Sequence, residues 1–266
     1  MFFKVTAGFQ IASDLNRAYP TTALGYTKKF NSFELKGGVG THFRQPTFND
    51  FFWKSGGNSG LIPETGWSIE QFLSFKKNKK LSANLGVYCS VIDNWIQWIP
   101  LGLIWEPNNV KKVGSSGVES EFRLNQKWIG VKSVFFNTSS FTRTTVLASN
   151  LENDVAIGKQ AVNVPFFNST NNVQLEFKSW LAKYSLAYKG KRYISFDNDE
   201  NSALPGYWLS SFGVTKIKKL KDLDLAMVIK ITNLFNKAYE IIGNTPMPGR
   251  AYYITLKFKF KTKEIN

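Results

Sequence analysis

The feature that most restricts what this chain can become is a two-residue alternation of apolar and polar side chains, repeated along nearly its whole length. Tyr252, Ile254, Leu256, Phe258 and Phe260 share one parity; Tyr253, Thr255, Lys257 and Lys259 share the other. Successive strand side chains point to opposite faces, so this spacing separates an oily face from a wet one. Leu223, Leu225, Met227, Ile229 and Ile231 repeat it against Asp222, Asp224 and Lys230, and Leu81 to Val91 repeats it against Ser82, Asn84 and Ser90. Phe33, Leu35, Val39 and Phe43 oppose Glu34, Lys36, His42 and Arg44. Val118, Phe122 and Leu124 oppose Glu119, Glu121 and Arg123, and Val173, Leu175 and Phe177 oppose Gln174, Glu176 and Lys178.

The pattern predicts about twelve strands. They lie near 2–12, 20–29, 32–45, 66–76, 80–93, 116–126, 128–143, 165–178, 181–196, 206–217, 222–233 and 250–260, with a weaker extended region at 95–100 and 108–113. Short polar turns are expected at Lys29–Ser32, Lys77–Lys80, Asn125–Lys127, Ser179–Trp180 and Lys218–Asp222. Long loops are expected at Pro46–Pro63, Pro100–Asn109, Arg143–Asn163, Asp197–Pro205 and Asn236–Gly249. Short and long connections alternate, and strands of about 9–11 residues suffice to cross a bilayer. The fold class that follows is all-β: an antiparallel, up-and-down transmembrane β-barrel of about twelve strands, with short turns on one side and long loops on the other. Phe30, Phe43, Phe75, Trp95, Trp98, Trp128, Trp180, Trp208 and Tyr239 stand near strand ends, where interfacial girdles place aromatics. No run of 18 or more apolar residues offers a transmembrane helix.

Composition narrows the function classes. The chain has 23 Phe, 10 Tyr and 8 Trp, yet its mean hydropathy is −0.22, as alternation rather than clustering requires. The formal net charge of +15 suggests nucleic acid at first. The lysines form no helical stripe, however; they alternate within strands or cluster at turns, as in Lys76-Lys77 and Lys218-Lys219. A wet barrel wall accounts for both placements. The single cysteine, Cys89, excludes an intrachain disulfide and sits at an apolar parity. The single histidine, His42, would have to serve any Ser-His-acid set, and no local motif puts a serine beside it. Asp197–Asn201 is oxygen-rich but lacks a calcium-loop spacing, and Gly37-Gly38-Val39-Gly40 lies inside a strand, where close packing is the expected role. No catalytic residue, metal ligand or cofactor is expected. Met1–Ala7 does not read as a secretory signal, so the chain is expected to be either a non-exported protein or a piece of an exported one.

Two segments carry a family resemblance. Asn233-Leu234-Phe235-Asn236-Lys237-Ala238-Tyr239, then Pro246-Met247-Pro248-Gly249-Arg250 and the aromatic-ending strand, resemble the end of a TonB-dependent outer-membrane receptor. In that family an Asn-Leu-Phe-Asn-Lys-x-Tyr stretch closes the penultimate strand and a Pro-Gly-Arg loop opens the last. Here Lys261–Asn266 follow Phe260, where the family's assembly signal ends on the aromatic. Arg44-Gln45-Pro46 through Asp50, then Gly57-Asn58 and Leu61-Ile62-Pro63-Glu64, resemble a loop of the same receptors. The similarity is nearest the vitamin B12 receptor branch, including its Bacteroidetes-type members. Ile92–Ile96 with Trp105–Asn108, and Leu204–Tyr207, fit neighbouring strands.

The resemblance implies a non-enzymatic receptor that takes up a large scarce nutrient, such as cobalamin or an iron chelate, across the outer membrane. It implies energy delivered by the TonB-ExbB-ExbD system through a plug domain, outer-membrane lipid as surroundings and no nucleic acid. Family barrels have about twenty-two strands. Residues 1–266 therefore read as the C-terminal part of such a barrel, without a plug. Ligand contacts are expected from Arg44, Asn49, Trp53 and Asn58 in the first long loop and from Trp105 and Asn108 in the next. The competing reading is a passive porin-like or small closed outer-membrane barrel; a soluble β-sandwich binding protein is a third.

Overall fold

A computed structural model describes residues 1–12, 17–221 and 223–260. Asp222 and the tail Lys261–Asn266, both used in the sequence reading, lie outside them. The strands are β1 (Phe2–Ala12), β2 (Arg17–Phe30), β3 (Phe33–Arg44), β4 (Glu64–Lys77), β5 (Leu81–Leu101), β6 (Ile104–Trp128), β7 (Val131–Ser149), β8 (Phe167–Phe177), β9 (Trp180–Lys189), β10 (Tyr207–Lys219), β11 (Leu223–Thr232) and β12 (Ala251–Phe260). They form one twelve-stranded sheet in sequence order, each strand antiparallel to the next. Among the described residues no ladder joins β12 to β1, so the sheet is open at both edges.

The register explains the alternation. Val39, Ile69 and Cys89 are cross-strand partners on one face, and so are Leu35, Leu73 and Leu85. The row Lys36, Phe72, Gly86, Glu119 and Ser140 lies on the other. On the first face apolar side chains stay open in mid-sheet: Leu256 is 56% exposed and Ile69 51%. An apolar band this wide on a sheet fits hydrocarbon, not water. Aromatics edge it on both sides. Phe43, Trp67, Phe141, Phe167, Tyr188 and Trp208 stand at the long-loop end; Phe33, Phe75, Phe177, Trp180 and Phe260 stand at the short-turn end. Trp67 and Phe75 are eight residues apart on β4, Phe167 and Phe177 ten on β8. At about 3.3 Å per residue and a tilt near 40°, that is roughly 20–25 Å of height, the thickness of the apolar band in outer-membrane barrels.

The short turns work through left-handed residues. Asn31, Asn78 and Lys178 have positive φ, and the β6–β7 turn has two in a row, Ile129 (φ 42°) and Gly130 (φ 80°). The long-loop end departs from expectation in four places. Pro100–Asn109 is not a loop: β5 and β6 run on as one hairpin, 21 and 25 residues long, turning at Gly102-Leu103. Strand β7 continues through Arg143 to Ser149, so the loop after it starts later. Strand β9 stops at Lys189 instead of near 196, because from Arg192 onward the backbone bonds to neighbouring loops, Arg192 with Leu204 and Tyr193 with Asn163. Inside the first long loop a short helix, α1 (Phe48–Phe52), forms. Three expected girdle aromatics also move: Trp95 and Trp98 lie on the hairpin extension, and Tyr239 lies in the β11–β12 loop against Tyr207, with ring centres 4.9 Å apart. The dry core sits at this end: Leu61, Ile96, Ile99, Val113, Val146 and Ala156 are buried near the hairpin, and Leu204 is buried where it pairs with Arg192.

Candidate functional site

Two carboxylates hold the first long loop. Thr47 caps α1: its hydroxyl accepts from the Asp50 N–H (3.2 Å), and the Thr47 N–H donates to Asp50 Oδ2 (2.8 Å). The other Asp50 oxygen accepts the indole N–H of Trp98 on β5 (3.0 Å). Burial alone would raise the Asp50 pKa; the bonds from Thr47 and Trp98 and the field of Arg44 outweigh it and hold the carboxyl below its ordinary value. Glu64, at the foot of β4, takes a forked bond from Arg44 and the backbone N–H of Ile96 (2.8 Å). Both carboxylates are under 10% exposed, so their full partner sets matter.

The hairpin completes the clamp. Asn58 donates to the Pro107 carbonyl (3.0 Å) and to Asn108 Oδ1 (3.2 Å) while accepting from the Gly60 N–H (2.9 Å). Asn109 exchanges two bonds with the Ile62 backbone (2.8 and 2.9 Å) and donates to the Asn94 carbonyl (2.7 Å). At Gly56 the loop backbone passes so close to the Trp105 carbonyl that a Cβ would collide with it. Of the six expected ligand residues, the structure thus joins Asn58 to Asn108 and ties Arg44 to Glu64. Asn49 is exposed on α1, while Trp53 and Trp105 are 54% and 56% exposed beside the clamp. The residues that organise the site, Asp50, Glu64, Trp98 and Asn109, were not among those expected. Thr47 three residues before Asp50 is a capping-box spacing, so that one was open to sequence reading.

The last motif is a second clamp. Asn233 (φ 47°) and Asn236 (φ 51°) both have left-handed backbone, which asparagine tolerates. Asn233 donates to the Lys237 carbonyl and accepts the Lys237 N–H (both 2.8 Å); Asn236 accepts the Arg250 N–H (2.9 Å). Lys111 on β6 pairs with Asp154 in the β7–β8 loop at 3.2 Å, with the Lys111 ammonium 4.9 Å from the centre of the Phe196 ring. The oxygen-rich 197–201 stretch is engaged internally: Glu200 takes Lys191 and Tyr193, and Asp199 takes Ser202. His42 faces the wet side, and Ser68 on β4 stands 2.6 Å from its Nε2. That serine comes from the neighbouring strand, out of reach of any local motif. Among the described residues no carboxylate is hydrogen-bonded to the ring.

Residues 3–234 match the family described as TonB dependent receptor-like, β-barrel. The chain belongs to that family. It is similar to the vitamin B12 transporter BtuB of Photobacterium profundum, 26% identical over 94% of this chain and 40% of the relative. It is also similar to that of Vibrio vulnificus (strain YJ016), 34% identical over 44% of this chain and 20% of the relative. Among solved structures, the ferric citrate transporter FecA aligns over 95% of this chain and 42% of its own, with a TM-score of 0.72 at 14% identity. The ferric enterobactin receptor PfeA of Pseudomonas aeruginosa aligns over 96% and 42%, with a TM-score of 0.72 at 17% identity. This receptor-family chain thus spans about two fifths of the length of the Photobacterium relative and of the two solved structures.

Proposed function

We propose that residues 1–266 form the C-terminal part of the barrel of an outer-membrane receptor for a large scarce nutrient, cobalamin or an iron chelate, energised through the TonB-ExbB-ExbD system. The observation that carries this is a two-faced sheet with girdles on the apolar face and clamped loops at one end, in a chain similar to cobalamin transporters over 94% of its length. Membership of the cobalamin branch, Bacteroidetes-type or other, is part of the proposal; the two curated relatives named above come from Photobacterium and Vibrio. Arg44, Asn49, Trp53, Asn58, Trp105 and Asn108 remain the proposed ligand edge, now with a division of labour. Trp53, Trp105 and Asn49 offer free surface, and Arg44, Asn58 and Asn108 hold the platform beneath them. The open order of the sheet speaks against the competing reading of a small closed pore. The role is that of a transport receptor, not an enzyme, in the outer membrane.

The test is a chimera. Residues 1–266 replace the matching C-terminal stretch of the Photobacterium transporter in a strain whose growth depends on cobalamin. Growth at nanomolar cobalamin, lost in a strain without TonB, is the expected result. A chimera that assembles in the outer membrane yet restores no cobalamin or ferric-chelate uptake overturns the reading.

A further inference from the structure

Lysines collect at one end of the apolar face. The ladders set Lys28 opposite Leu35, Lys216 opposite Trp180 and Lys218 opposite Leu225, all on that face and all at its short-turn end. Lys77 follows Phe75 by two residues on β4 and shares its parity. Lys79 and Lys178 join them from the turns. None of these six forms an ion pair among the described residues. The described acids nearest these turns, Glu34, Glu176 and Asp224, alternate with apolar-face residues and so lie on the other face. Toward the long loops the apolar face carries Arg143 and a Lys112–Asp93 pair at 3.2 Å.

The cluster is tightest around Trp180. The Lys216 ammonium lies 4.3 Å from the centre of that ring, and the Lys178 ammonium 5.2 Å from the centre of the Phe177 ring. Both rings belong to the girdle, so the cations are held at the level where hydrocarbon gives way to headgroups. The Ile217 N–H donates to the Ser179 carbonyl (2.8 Å), which holds the turn carrying Lys178 against the strand carrying Lys218. Lys218 is exposed two residues nearer water than Lys216. On their other side the cross-strand partners of Lys216 and Lys218 are Met227 and Leu225. Positive charge at the girdle thus stands directly beside apolar surface.

We propose that the short-turn end of the apolar face is a docking surface for anionic phospholipid, with its tightest site at Lys178, Lys216 and Lys218. The lipid phosphate meets the three ammonium groups. The acyl chains lie along Met227 and Leu225 in the apolar band. Charge and oil at this spacing match a lipid: a free anion has no chains to set beside the band, and a zwitterionic headgroup brings its own cation against the lysines. Short turns of such barrels face the periplasm, so the lipid belongs to the inner leaflet of the outer membrane. The inference goes beyond the uptake reading and rests only on the apolar face bordering lipid.

The probes are phosphatidylglycerol and phosphatidylcholine with identical chains, mixed equally into uncharged dodecyl maltoside micelles that hold the full chain. Lipid is kept limiting, so the tightest site fills first, and the lipid that co-purifies with the chain is counted. Phosphatidylglycerol is expected to exceed phosphatidylcholine about twentyfold in 0.1 M salt, about fivefold for each of two lysines near the headgroup. In 1 M salt, where screening shortens to about 3 Å, the ratio falls toward one. Replacing Lys178, Lys216 and Lys218 together by glutamine brings it near one at low salt, and replacing all three by arginine keeps it. Arg143→Gln, at the other end of the face, leaves it in place, and so does inorganic phosphate at the concentration of the lipid. Equal retention of the two lipids overturns the site. So does a ratio that survives the glutamine variant or 1 M salt, is lost in the arginine variant, or collapses with inorganic phosphate or Arg143→Gln. The cobalamin chimera reads uptake separately, so failure of one reading is told from failure of the other.

Discussion

At the residue scale, the motifs that mark the family are structural fasteners. Asp50 shows why an acid stands six residues after Arg44: one side chain caps α1, accepts an indole and faces a guanidinium. Replacing it by alanine leaves the Thr47 and Trp98 donors without their acceptor, at a cost of about 1–3 kcal/mol to docking of the loop. Faster proteolysis within residues 45–63, with the sheet intact, is the expected readout. The same bonds set a pH dependence. The Asp50 carboxyl is held below its ordinary pKa in the folded loop, so its contribution is fully present above the ordinary carboxylate range near pH 4. It fades as the pH falls through the lower, folded value. Loop protection should therefore be flat from pH 7 to 5 and decline below 4, and the Asp50→Asn variant should lack that decline. Ile129 is the opposite case, a β-branched residue at φ 42° on an exposed turn. Ile129→Asn relieves strain of about 1 kcal/mol and should raise the urea midpoint of the folded chain. A variant no more stable than the parent would show that the turn bears no strain.

At the element scale, alternation told strand from loop wherever one face meets lipid and the other water, as on β4, β11 and β12. It failed where that contrast ends. The β5–β6 extension rises clear of the apolar band, where both faces are wet or covered by loop, so Pro100, Gly102 and Pro107 read as loop residues although backbone pairing carries the ladder past them. The ligand residues were legible as types but not as roles, because Asn58 and Asn108 show their mutual bond only after residues 50 positions apart are brought together. Another departure lies on the apolar face itself. The partners Ser139 and Ser169, and Asn137 and Asn171, occupy it between Phe141–Phe167 above and Phe135–Val173 below. They satisfy each other: the serine oxygens are 2.9 Å apart, and Asn137 donates to Asn171 at 2.8 Å. Beside lipid, an amide that loses its partner has no water to replace it. Asn137→Leu alone should destabilise the β7–β8 pair by about 1–3 kcal/mol, whereas Asn137→Leu with Asn171→Leu should fall within about 1 kcal/mol of the parent. Additive losses in a urea titration of the detergent-folded chain would show that the two amides do not act as a pair.

At the scale of the whole molecule, the edges decide what this sheet can do alone. Among the described residues strand β1 pairs only with β2, and β12 only with β11, so each presents a row of unpaired backbone groups along strands of 11 and 10 residues. In water such an edge is hydrated; in hydrocarbon each orphaned group costs several kcal/mol, far more than the apolar face of one strand returns. Curling β12 onto β1 would satisfy the groups. However, strand number, tilt and shear are linked, so the register of the wider barrel proposed above closes badly as a twelve-stranded one. Closure by further strands, set between β12 and β1, meets the backbone without changing the register of the twelve. Residues 1–266 alone, mixed with preformed lipid vesicles, are therefore expected to yield no heat-modifiable, protease-resistant monomer on gels. The same residues completed by the N-terminal barrel strands of the Photobacterium transporter should yield one. A stable, heat-modifiable monomer from residues 1–266 alone would mean that β1 and β12 do find each other, and that the sheet is a small barrel in its own right.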